Sequence, residues 1–267
     1  MIIRTLFAVL GAALQLHEMD RGDVDAYLAG LTERQPNFCS RVTDVARQSL
    51  GTPYADSPLG EGPGAKYDDD PLMDLTRVDC VTFVEQTIAL AASSSYQDAF
   101  DLLQKVRYRN GEIAFETRNH FMAADWVVDN RFCTDVTHDL KATTATASRT
   151  ISKKGFFERV KTPELGQDIA DRVIDLAYVP VGQAADAEKN LPSPALILFI
   201  GKIEWLFTLH CGLYLRDQDG TGLLYHASSK HGAVTTTGLA SYLDGSQRYL
   251  GFAAYAIQDP TRTRPAQ

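Results

Sequence analysis

A cysteine, two histidines and the turn that separates the histidines carry the chemistry legible in this chain. Cys80 stands in Arg77-Val78-Asp79-Cys80-Val81-Thr82-Phe83-Val84-Glu85, where a polar stretch gives way to a helical pattern. A thiol at a helix N-terminus meets free N–H groups and the positive end of the peptide dipoles. Both favour thiolate over thiol. His210 lies far downstream, in an apolar run that reads as a strand. A thiolate and one distant imidazole supply the nucleophile and base that covalent hydrolysis of a carbonyl requires.

Strand geometry brings a second polar group to His210. In 207–215 side chains alternate, so His210, Gly212 and Tyr214 share one face and Leu209, Cys211, Leu213 and Leu215 take the apolar, core-facing side. Asp217-Gln218-Asp219-Gly220 is turn chemistry, and 223–228 is the next strand, with Leu224, His226 and Ser228 on one face. An antiparallel hairpin with Leu215 opposite Leu223 sets His210 opposite Ser228 and diagonal to His226, at roughly 7–8 Å between backbones. A slip of two residues sets the histidines directly opposite. Either register gives the imidazole an orienting neighbour. His17 and His138 sit among polar residues, and His231 follows a Ser-Ser-Lys turn.

The elements that must hold these groups read as helices first and strands afterwards, the α+β pattern. Helices are expected over 37–50, ended by Gly51-Thr52-Pro53, over 80–92, over 96–108, over 120–130 and over 167–177. The Gly-, Pro- and Asp-rich stretch 58–70 reads as a loop positioned to wall a cleft, and 134–154 as surface structure or short strands. Strands are expected at 195–200, 207–215, 223–228 and 248–258. A chain of 267 residues with 45% apolar content supports a sizeable core, and a net charge of −8 argues against nucleic-acid binding. Arg4 followed by the apolar run 6–14 fits a short signal peptide, so residues 1–16 are set apart from a single domain at 17–267, with a periplasmic or secreted location expected. Cys39, Cys80, Cys133 and Cys211 form no Cys-x-x-Cys pair, which leaves zinc-ribbon and thioredoxin readings unsupported. A Cys39–Cys133 disulfide and free, buried thiols both remain open.

Gly51-Thr52-Pro53-Tyr54, Asp79-Cys80, His210-Cys211-Gly212-Leu213-Tyr214 and His226-Ala227-Ser228, in that order, resemble the NlpC-type papain-like hydrolases of bacterial cell walls. Asp-Cys-Val-Thr-Phe-Val-Glu stands where Asp-Cys-Ser-Gly is commoner. With Arg107-Tyr108-Arg109-Asn110-Gly111, Arg118-Asn119-His120-Phe121 and Trp126, it is similar to one branch, the N-acetylmuramoyl-L-alanine amidase-like family. The likeness runs from about Asn37 to the last strand. Phe121 stands where that branch has Tyr, and Ser193-Pro194-Ala195 where a Gly-Asp pair often opens the strand before the histidine.

The resemblance implies a papain-like α+β fold and hydrolysis of the amide joining N-acetylmuramic acid to L-alanine. Cys80 would be the nucleophile, His210 the proton carrier and His226 the orienting member, with Ser228 sharing its face. Tyr54 and the Cys80 N–H would face the oxyanion, and Asp79 would cap the helix or touch substrate. Arg118 would meet a peptide carboxylate, with His120 nearby and Trp126 stacked on a sugar; His120 and Trp126 read equally as core. The implied partner is a muropeptide or peptidoglycan fragment, with no obligate protein partner, metal or cofactor. The rival readings are a stem-peptide endopeptidase, a non-catalytic muropeptide binder, and an acyltransferase using the same thioester.

Overall fold

The structure, a computed structural model, describes residues 14–217 and 219–262. Most of the expected signal segment lies outside the described residues; Leu16, at its end, is 2% exposed and belongs to the core. No helix among the described residues is long and apolar enough to cross a membrane.

Four helices precede the sheet. They are α1 (Arg21–Arg34), α2 (Phe38–Gln48), α3 (Cys80–Ala91) and α4 (Tyr96–Arg107). Helix α1 was not expected, although Asp20 caps it and Val24, Leu28 and Leu31 line one buried stripe. Helix α3 is buried from Thr82 to Ala91. Its start is fixed by a reciprocal pair: Thr82 N–H donates to Asp79 Oδ1 at 2.7 Å, and Asp79 N–H donates to Thr82 Oγ1 at 2.9 Å. Such a helix is enclosed on all sides, so its polar residues need partners. Glu85 finds Arg107 at 3.3 Å and the indole of Trp126 at 3.0 Å.

The strands are β1 (Cys133–Asp135), β2 (Ala145–Ile151), β3 (Arg172–Pro180), β4 (Ala195–Gly201), β5 (Thr208–Arg216), β6 (Gly222–Ser228), β7 (Ala233–Thr237) and β8 (Tyr249–Ile257). They form one antiparallel sheet in the order β2-β3-β8-β4-β5-β6-β7, with β1 also on β8. Central β4 is buried at every position. Removing each of its large side chains from water contributes about 1.5–3 kcal/mol. Leu196, Leu198, Cys211, Leu213 and Leu215 join the core on the helix side, where α3 packs on β5 and β6. Phe199, Tyr214 and Leu224 face the other side, covered by the short helices Ala184–Glu188 and Leu239–Leu243.

Leu215 pairs with Leu223, the first of the two registers left open by the alternation and the Asp-Gly turn. Two expected helices are corrected. Residues 167–177 hold no helix; Arg172–Pro180 is β3, paired along β2 and at its end with β8. Ile169, Val173 and Leu176 have helical spacing, but the same residues suit a ladder, and ladder partners distant in sequence decide the outcome. Residues 120–130 form a widened turn at Met122–Trp126 and one α-turn at Val127–Asp129 rather than a continuous helix.

Candidate active site

Cys80 is the first residue of α3, and the residues before it fix where its sulfur stands. Tyr54 bridges Val78 in parallel, with Ala55 N–H donating to Val78 carbonyl at 3.0 Å. Tyr54 N–H in turn donates to the Gly232 carbonyl at 2.8 Å, tying this segment to the β6–β7 turn. Cys80 therefore sits where the helix start meets the end of the hairpin. Beneath it, Cys211 on the helix-facing side of β5 donates its thiol hydrogen to the Cys80 carbonyl at 3.2 Å.

On the same strand, His210 turns toward the other face. Its Nε2 lies 2.8 Å from Nδ1 of His226, and the two rings meet edge to face. Gly212 permits this: a Cβ there would lie 2.7 Å from the Tyr225 carbonyl and 3.0 Å from the His226 Cβ. Any larger residue would push β6 away and separate the imidazoles. Tyr242 packs on both rings, with centroids 5.7 Å from His210 and 5.1 Å from His226, and Phe199 stacks on His210 from the adjacent strand. The helix bearing Tyr242 is held by Glu188, whose carboxylate accepts from Leu239 and Ala240 N–H groups.

The electrostatics separate the two cysteines. Cys80 is held well below the usual thiol range, first by hydrogen bonding with the Cys211 thiol and then by the His210 imidazole, against burial, which acts the other way. Cys211 is pushed up by its Cys80 neighbour and by burial. Burial also raises Cys39 and Cys133, and all four cysteines are free, so no disulfide joins Cys39 to Cys133. His226 is lowered to about 4, chiefly by burial and then by the charge on His210, so at neutral pH it is an uncharged acceptor. With Nε2 of His210 engaged there, Nδ1 is the nitrogen left for the sulfur. Asp79 is raised to about 6 by burial and then by the Cys80 charge, and its side chain is spent on the helix cap.

Cys80, His210 and His226 open on a groove of about 700 Å³. Tyr54 and Ser228 line it as well; Tyr54 is kept protonated by burial, and Ser228 Oγ accepts from the His231 N–H at 3.2 Å, shaping the β6–β7 turn. The other walls are that turn, β7, the helix bearing Tyr242 and the start of β8, not the 58–70 loop expected to form one. A thiolate and an imidazole side by side in an open groove can attack a carbonyl and carry a proton. Among the described residues no group of three or more His, Cys, Asp or Glu is arranged to hold a metal ion.

Three residues offered as substrate contacts lie away from the groove lining, with His120 and Trp126 taking the core placement that was their other reading. Trp126 is 0% exposed and packs against Phe132, leaving no face for a sugar. His120 is enclosed by Phe115, Phe156 and Phe157, with Nε2 2.7 Å from the Phe115 carbonyl. Burial first and Arg118 second lower it to about 3, so it is a neutral donor within an aromatic core. Arg118 spends its fork inside the protein, on Glu61 at 2.7 Å and Asp68 at 2.9 Å. These bonds, with Arg107 on the Leu59 carbonyl and Tyr108 on the Gly60 carbonyl, pin the 58–70 loop to α4. Replacing Arg118 with methionine strands two nearly buried carboxylates, and urea unfolding is expected to show a loss of about 3–5 kcal/mol. An unaltered urea midpoint would return Arg118 to the list of substrate contacts.

Sequence reasoning missed Cys211 and Tyr242 as members of the site. The face alternation of β5 already set Cys211 toward α3, and that was its available signal; Tyr242 had none, because only the fold brings its helix over β5.

The antiparallel sheet behind a buried helix is an α+β arrangement already represented among solved structures. A Legionella pneumophila protein superposes with a TM-score of 0.78 at 21% identity, covering 88% of this chain and 95% of its own. An N-acetylmuramoyl-L-alanine amidase from Bacteroides uniformis gives 0.67 at 23%, covering 83% and 99%. A Bacteroides fragilis protein provisionally named a xylanase gives 0.62 at 22%, covering 79% and 99%. One fold under different activity names is evidence of fold alone. The chain itself belongs to the AmiA-like family, described as N-acetylmuramoyl-L-alanine amidase-like, whose model matches residues 44–251. No curated protein matches it.

Proposed function

We propose that this protein is a cysteine-dependent N-acetylmuramoyl-L-alanine amidase of the NlpC-type papain-like kind, acting on muropeptides through a thioester. The observation that carries the reading is the contact of 2.8 Å between His210 and His226 beside a sulfur already biased to thiolate, all on one open groove. Family membership supplies the substrate class.

In this mechanism Cys80 Sγ attacks the lactyl carbonyl. The oxyanion is met by the Cys80 N–H, which as the first residue of a helix has no intrahelical partner, and by the Tyr54 hydroxyl. The protonated His210 gives its proton to the departing L-alanine nitrogen, leaving the muramoyl group as a thioester on Cys80. Water then attacks the thioester, His210 takes its proton, and the free acid leaves as the thiolate reforms. His226 accepts from His210 Nε2–H throughout and fixes which nitrogen faces the sulfur. The Arg4-led apolar stretch supports export to the compartment that holds the wall.

His226 has to be uncharged to accept that proton. Activity is therefore expected to fall as pH drops through about 4, where His226 gains a charge and both rings become donors. His226→Ala should lower kcat by roughly 10²–10⁴ while the protein stays folded by circular dichroism. An unaltered kcat would shift the orienting role to Ser228.

The experiment that tests the reading is incubation with a defined disaccharide-peptide and identification of the products by mass spectrometry. Release of the whole peptide with a free L-alanine amino terminus supports the amidase. Cleavage between amino acids makes the protein an endopeptidase, and retention of uncut fragment makes it a binder.

A further inference from the structure

Two cations beside the paired imidazoles are not spent on carboxylates among the described residues. Lys230 and Arg248 line the groove and are exposed, and no aspartate or glutamate lines it with them. In a chain with 34 acidic and 26 basic residues, such a lining runs against the overall charge. Elsewhere the cations near buried acids are spent: Arg41 on Asp259, Arg107 on Glu85, Arg118 on Glu61 and Asp68, and Lys153 on Asp125. Among the described residues neither Lys230 nor Arg248 has a carboxylate partner; Arg248 lies over the Tyr249 ring at 5.6 Å, and its charge acts on the Tyr54 and Tyr242 hydroxyls. Asp56 acts on Tyr54 from outside the groove lining.

The topology sets these cations on opposite sides of the reacting groups. Lys230 is in the turn between β6 and β7, and Arg248 immediately precedes β8. In the sheet order β8-β4-β5-β6, the β5 strand carrying His210 runs between them. Three strand spacings separate β8 from β6, about 14 Å of sheet. A carboxylate one or two residues from the scissile amide lies roughly 4–7 Å along an extended peptide, within reach of either flexible side chain. Arginine offers such a group a two-pronged donor and lysine a mobile point charge.

We infer that the groove recognises its substrate by a carboxylate near the cleaved amide, held by Lys230 and Arg248, so that these two residues set specificity for an acidic stem peptide. This rests on the amidase reading above for the position of the cleaved bond. It makes the protein a selector of stems with free carboxylates over those carrying carboxamides.

The test compares disaccharide-L-alanyl-D-glutamate with its dicarboxamide. Wild-type kcat/KM is expected to fall about tenfold on the dicarboxamide, mainly through KM, and the gap to shrink at high salt, since each tenfold is one modest charged contact. In the K230Q/R248Q double variant the preference should collapse toward one, and K230R/R248K should restore it. Equal wild-type kcat/KM on both compounds would overturn the inference. Binding of both compounds to Cys80→Ala protein by calorimetry reads the same preference without turnover. Failure to cleave either compound would sink the amidase reading, while equal affinities would sink the carboxylate site.

Discussion

Cys80→Ala protein is expected to lose at least about 10⁴-fold in kcat on the disaccharide-peptide while keeping its groove and its fold. The size of the effect follows from what the sulfur does. It forms the bond that divides amide hydrolysis into two easier steps, and nothing else lining the groove at that point is nucleophilic. Tyr54 is kept protonated, and Ser228 already accepts from the His231 N–H. The fold should survive, because Asp79 and Thr82 hold the helix start through their own side chains and the Cys211 thiol keeps its bond to the Cys80 carbonyl. Substrate affinity measured on this variant should stay near the wild-type value, since the groove walls are untouched. Retained turnover would remove Cys80 from the chemistry altogether.

His210→Ala should cost roughly 10²–10⁴ in kcat, the span expected for one general acid–base group. Three functions vanish with the ring: proton donor to the leaving amine, base toward water, and charged neighbour of the Cys80 sulfur. The loss should grow for amides with poor leaving groups and shrink for activated esters, whose leaving groups need no proton. Equal losses on both substrates would assign His210 to shaping the groove. The substitution also frees His226 of its contact and removes a ring on which Phe199 and Tyr242 stack, so thermal unfolding belongs beside the kinetics.

The parts of the site legible in sequence are those that local rules govern. Strand alternation with an Asp-Gly turn is a short-range signal; it brought His226 near His210 in either of two registers, and the structure selects Leu215 opposite Leu223. Asp79 as the cap of α3 follows from position alone. What sequence could not reveal depends on partners far along the chain. Arg118 meets Glu61 from 57 positions away, and Trp126 meets Glu85 from 41, so neither partner could be named in sequence and Trp126 read equally as core or ligand-facing. His120 shows the same effect with aromatic rings, since Phe156 and Phe157 close over it only once the chain has folded back. The mistaken helix at 167–177 arose because one apolar spacing fits both a helix and a ladder, and β2 chooses between them. Lys230 and Arg248 look like ordinary surface charges until the sheet order sets β5 between them.

The most direct test is the pH dependence of Cys80 alkylation by iodoacetamide, followed residue by residue by mass spectrometry in wild-type and His210→Ala protein. The wild-type rate should hold its plateau well below the ordinary thiol range of about 8.5, with Cys80 labelled ahead of Cys39, Cys133 and Cys211, and the profile should move upward when the imidazole is removed. A wild-type profile that rises only near the ordinary thiol range, and stays there in the variant, would contradict a thiolate held by His210.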